Sequence, residues 1–110
     1  MLEKYREYWA SEGDELLLSK EEALELIEEC DKAEIQILGV ELVFYDGVHT
    51  YATTTSLRYL REEGYKVAVE HAGKFFLEEF DEVADSLRRQ DPRLRLVAAV
   101  RCCAIFVLDL

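Results

Sequence analysis

Residues 35–45, IQILGVELVFY, form an apolar run broken only by Gln36, Gly39 and Glu41 and closed by Asp46-Gly47. A run of this length, rich in β-branched and aromatic residues, predicts a strand at the heart of a sheet. Asp46-Gly47 is a two-residue hairpin signal, because a type I′ turn needs positive φ at both central positions. Such a turn places Tyr45 opposite Val48, Phe44 opposite His49, Val43 opposite Thr50, Leu42 opposite Tyr51 and Glu41 opposite Ala52. One face then carries Leu38, Val40, Leu42, Phe44 and Tyr51, a core set. The other carries Ile35, Ile37, Gly39, Glu41, Val43, Tyr45, Val48 and Thr50. That face is too apolar for water alone and calls for a second layer or a partner.

Leu2, Tyr5 and Trp9 recur at helical spacing and predict a short amphipathic helix over 2–10. Ser19 lies three residues before Glu22, the capping-box pattern that starts a helix, here from Lys20 to about Asp31. Its buried stripe is Ala23, Leu24, Ile27 and Cys30, with Glu21, Glu25, Glu28 and Glu29 outward. Glu21 with Glu25 and Glu25 with Glu29 are like charges one turn apart, each costing ~0.2–0.5 kcal/mol. After the hairpin, Thr53 to Ser56 offer N-caps for a helix over 57–63 ended by Gly64, or else prolong the second hairpin strand. Residues 65–70 alternate as a strand would, and Phe76, Phe80, Val83 and Leu87 mark a helix over 74–90 stopped by Asp91-Pro92. Residues 94–110 alternate throughout. Fully extended they would span ~50 Å, so a bend, bulge or overhang is expected. The elements sum to one α+β domain over 1–110, a mainly antiparallel or mixed sheet with helices packed against it.

Half of the 110 residues are hydrophobic and 34% are charged, a globular balance. The net charge of −11 argues against nucleic acid and anionic membrane as partners and favours a basic protein. It is unevenly placed: residues 1–46 hold 14 acids and 4 bases, residues 47–110 hold 10 and 9. Three cysteines, two of them adjacent, suit a reduced, cytoplasmic setting. No secretory leader is expected at the start, and the apolar tail, cut by Arg101, is shorter than the ~20 residues of a membrane helix.

Chemistry-bearing patterns are sparse. Cys102 and Cys103 lack the two-residue spacing of redox or metal pairs, so core packing is expected of them. His49 and His71 have no second ligand at metal spacing and no nearby nucleophile in sequence, and the glycines form no phosphate-cradling run. No catalytic residue, metal or cofactor is therefore assigned. Glu41 is the exception to watch, since a carboxylate in an apolar strand needs an internal mate, for which Arg101 is the candidate, or a partner's cation.

Ser19-Lys20-Glu21-Glu22-Ala23-Leu24 and Ile37-Leu38-Gly39, with Glu41 where an acid is expected, resemble the immunity-protein family numbered forty, found beside bacterial polymorphic toxins. The likeness covers roughly residues 16–62. Val40 stands where that family shows a second glycine, and its tryptophan before the helix has no equivalent unless Trp9 serves. The resemblance implies a cytoplasmic, non-catalytic antitoxin that binds a cognate toxin. The charge reading adds that this toxin is basic, a nuclease among the candidates, docked by Glu21, Glu25, Glu28, Glu29, Glu41 and Asp46. The alternatives are a homodimeric interaction domain, joined through the second sheet face or the final strand, and a small-molecule-binding domain with Tyr51 in its pocket.

Overall fold

The computed structural model describes residues 17–97 and 99–109, so the helix read over 2–10 lies outside the described residues. Helix α1 spans Lys20–Ala33 and begins with the expected capping box. The Glu22 amide donates to Ser19 Oγ at 3.2 Å, and the Ser19 amide donates to Glu22 Oε1 at 3.1 Å. Glu34 ends the helix in the left-handed region at φ 54°. The buried stripe is Ala23, Leu26, Ile27 and Cys30, the i, i+3, i+4, i+7 set of one helix face. Leu24 flanks this stripe, half-buried, so Leu26 holds the place the sequence reading gave to Leu24.

Strand β1 (Gln36–Tyr45) is central, with β2 (Thr50–Arg58) on one side and β3 (Arg101–Asp109) on the other, both antiparallel to it. The fold is α+β, as expected, and this sheet is wholly antiparallel. The hairpin loop is four residues, Asp46–His49, rather than two. The Asp46 amide donates to the His49 carbonyl at 3.2 Å. Asp46 Oδ1 accepts from the Val48 and His49 amides at 2.8 and 2.6 Å, an Asx-type turn that makes the two-residue closure unnecessary. Tyr45 therefore opposes Thr50, Phe44 opposes Tyr51 and Val43 opposes Ala52. This register is two residues from the one read off the sequence; because side chains alternate with period two, each β2 residue keeps its face.

Two irregularities do change the reading. Between Ile37 and Gly39 the pairing with β3 slips, since β3 advances only from Leu108 to Val107. The slip turns Ile37, expected on the second face, into the main core with Val40, Leu42 and Phe44. Between Glu41 and Val43 the pairing with β2 jumps from Ser56 to Ala52, leaving Thr53–Thr55 bulged against Leu42. Thr53 Oγ1 fills the gap, donating to the Leu42 carbonyl at 2.6 Å. A Cβ on Gly39 would come within 3.2 Å of the Leu57 carbonyl oxygen, which explains a residue without a side chain here.

Residues 53–58 continue the strand, the second of the two sequence readings. A 3-10 turn (Arg61–Glu63) follows, and then α2 (Tyr65–Lys74), a π-helical stretch (Phe75–Glu79) and α3 (Phe80–Gln90) run on as one helix. The strand predicted over 65–70 is thus corrected to helix. Six alternating residues are too few to decide between periods, and tertiary contact decides. Ala68 and Ala72 are buried, and Gly73 sits so near α1 that an added Cβ would be 3.9 Å from Ile27 Cγ2. Ala68 and Leu87 are nineteen residues apart, about 100° out of line in a plain α-helix; one π insertion restores the alignment. Both then face the core, with Phe75, Phe76 and Phe80 between them. Phe76 stacks on Phe106 at 5.8 Å and meets Phe80 at 5.2 Å. The strand pattern read over 94–110 is realised only in its later part: Pro92–Leu96 is a 3-10 turn, and β3 starts only at Arg101.

Candidate protein-docking surface

The acids singled out from sequence do not form one surface. Glu21, Glu25 and Glu28 are exposed along the outer side of α1, opposite the stripe buried against the sheet and the long helix. Glu28 pairs with Lys32 at 3.2 Å, an exposed i,i+4 pair worth a few tenths of a kcal/mol. Lys20, at the start of the ridge, is drawn aside to Asp81 at 2.9 Å. Glu29 leans inward and is half-buried, and its Oε2 has no hydrogen-bond partner among the described residues. Burial pushes the neighbouring Cys30 thiol up to about 12, with the Glu29 charge adding to the effect.

Asp46 is committed elsewhere. Besides the two loop amides, its Oδ2 accepts from the Tyr51 hydroxyl at 3.0 Å. The His49 and Val48 amides, then Tyr51, hold its carboxyl down at about 2. It organises the hairpin, and docking is not needed to explain it.

Glu41 is on the far side of the sheet from α1, between Ser56 and Ile105. It is exposed, and no ion pair or hydrogen bond joins it to another described residue. The internal pair with Arg101 does not form. Arg101 stands opposite Tyr45, four positions along β1 and so about 13 Å away, with its guanidinium 5.7 Å from the Tyr45 ring centre. Glu41 instead borders a shallow 210 Å³ hollow with Arg58 and the half-exposed Val107.

No family model, curated protein or solved structure matches the chain. What the site can do must therefore be read from its own geometry. The thiols of Cys30, Cys102 and Cys103 are all raised chiefly by burial, which favours their protonated form. Among the described residues, no group of three His, Cys, Asp or Glu side chains could hold a metal ion, and no helix is long and apolar enough to cross a membrane.

The second face of the sheet is divided. Val43, Cys103 and Ile105 are buried there, with Leu17 and Tyr45 against them, whereas Thr50, Ala52, Thr54, Ser56 and Arg58 of β2 are exposed. Both outer strands carry guards that sequence reading missed. On β3, Leu18 exchanges backbone hydrogen bonds with Ala104 at 2.8 and 2.9 Å, so the final strand is not an open edge at that point. On β2, the threonine bulge interrupts the edge, and Arg93 donates to the Ala52 carbonyl at 2.9 Å while gripping Asp91 at 2.6 Å. Arg93 also lies 5.6 Å from the Tyr51 ring centre. Tyr51 is thereby held between Asp46 and Arg93. The one sequence signal for this clasp was the Asp91-Pro92 turn, which sends the chain back toward β2.

Proposed function

We propose that the protein is a non-catalytic, cytoplasmic immunity protein that binds and neutralises a cognate basic toxin, as the resemblance to immunity family forty implies. The observation that carries this reading is the outer side of α1, where Glu21, Glu25 and Glu28 face solvent in a row on a rigid, capped helix. A cationic partner would be drawn to this acidic side, which speeds encounter and favours one orientation. Nucleic acid and membrane are not its partners on this reading. Glu41, on the other side of the sheet, would contact the toxin only if the toxin wraps around a sheet edge, so the helix ridge is the primary site.

The test is co-purification and calorimetry with the toxin domain encoded by the neighbouring gene. A complex whose association slows as salt rises, and which Glu21→Lys/Glu25→Lys/Glu28→Lys weakens at least tenfold (about 1.4 kcal/mol), supports the proposal. A salt-insensitive complex, or a tight complex that the triple variant leaves unchanged, removes the ridge from the interface. No complex at all removes the immunity reading.

A further inference from the structure

We propose that the end of α3 and the turn after it form a binding site for a small phosphate-bearing molecule. This inference does not rest on the toxin reading, because it concerns a different part of the surface and the opposite charge. Arg88, Arg89, Arg93 and Arg95 are four of only 13 Lys and Arg residues in a chain of net charge −11. The fold brings three of them together. Asp91 caps α3, its amide donating to the Leu87 carbonyl at 3.2 Å, and its Oδ1 accepts from the Arg93 amide at 3.0 Å. Pro92 turns the chain into the 3-10 segment, and Leu94, 3% exposed, anchors that segment to the body. Arg95 thus returns to Arg88 and Arg89 around a 420 Å³ concavity whose other walls are Asp85, Leu94 and Val97.

The four arginines are not equivalent. Arg93 is spent on Asp91 and the β2 edge, and Arg89 is held by Asp85 at 2.9 Å. Arg88 and Arg95 have no carboxylate within ion-pair distance among the described residues. Helix-end carbonyls account for cations at Arg88 and Arg89. They do not account for Arg95, which lies beyond the helix and lines the same hollow as Arg88 and Arg89 with no carboxylate in ion-pair distance among the described residues. Two guanidiniums without a carboxylate partner among the described residues, beside a third, suit the bidentate recognition of a phosphate. Val97, half-buried, gives the hollow an apolar margin for the rest of a small ligand.

A nucleic-acid polymer is the wrong occupant. It would extend past the screening length of ~8 Å and meet the acidic remainder of the molecule, whereas a small ligand feels mainly this corner.

The experiment follows backbone amide resonances of the full chain, with calorimetry, on adding pyrophosphate, adenosine monophosphate or adenosine at ionic strength held constant with chloride. Pyrophosphate and the monophosphate should saturably shift amides within 85–97, and adenosine should not. Arg88→Gln/Arg95→Gln should weaken binding roughly tenfold or more, and Arg58→Gln should leave it unchanged. If the double glutamine variant unfolds, Arg88→Lys/Arg95→Lys serves instead; it keeps the charge, loses the planar fork and should bind measurably less tightly. The proposal is overturned by shifts no larger than those from chloride, by adenosine binding as well as its monophosphate, by tighter binding of a glutamate-rich peptide than of pyrophosphate, or by indifference to these variants.

Discussion

On the helix side of β1, Val40, Leu42 and Phe44 lie beneath two helices and join a cluster that includes Leu26, Phe76 and Phe106. On the other side Val43 has Cys103 and Ile105, with Leu17 and Tyr45 at the margin, and Glu41 two residues away is open to water. The same apolar run thus serves a thick core through one set of side chains and a small patch through the other. Hydrophobicity along a strand says that both sides are occupied, but not by how much. The depth of each side is set by what packs on it.

That contrast can be broken by substitution. Phe76→Ala removes a fully buried ring touching Phe75, Phe80 and Phe106, and should cost about 3–5 kcal/mol in denaturant unfolding. Ile105→Val on the second face should cost only about 0.5–1.5 kcal/mol. Comparable losses, after allowing for the groups removed, would mean that the second face is as deeply built as the first.

Alkali sharpens the comparison. Burial pushes Cys30, Cys102 and Tyr59, all on the helix side, up to about 12 from ordinary values of 9.0 and 10.0. As pH rises above 9.0 the unfolded chain sheds these protons first, so stability complete below that pH is lost between there and about 12. Cys30→Ala should flatten that decline in a pH series of unfolding curves. An undiminished slope would assign the effect to other groups.

Acid acts at the hairpin. With the Asp46 carboxyl held at about 2 against an ordinary 3.8, its contribution is complete above 3.8 and is lost as pH falls toward 2. Hydrogen exchange at the Val48 and His49 amides should accelerate over that window, relative to the intrinsic rate, and Asp46→Asn should remove the acid step. The smallest effect is expected at Glu41. Glu41→Gln should change stability by less than about 0.5 kcal/mol, since nothing described in the fold depends on its charge. A larger loss would reveal an internal role on the second face.

Much of this architecture was legible before any coordinates. The capping box of Ser19 and Glu22, the buried period of Ala23, Ile27 and Cys30, and the central place of residues 35–45 are local patterns, and local patterns survive because their hydrogen bonds and periodicities are written within a turn or two of chain. The helix stop at Asp91-Pro92 was legible for the same reason, since proline cannot continue the ladder. Other features needed the tertiary structure. Residues 65–70 alternate like a strand, yet the burial of Ala68 and Ala72 and the approach of Gly73 to Ile27 go with a helix. The hairpin register depended on whether Asp46 would cap the loop with its side chain. The six acids read as one docking set fell on separate surfaces because α1 and Glu41 occupy opposite sides of the sheet, and Asp46 was drawn into the loop. The sequence by itself determined which residues seek burial, where α1 begins and where α3 ends; only packing decided which charges are neighbours, because charge proximity across 110 residues is a property of the fold and not of spacing along the chain.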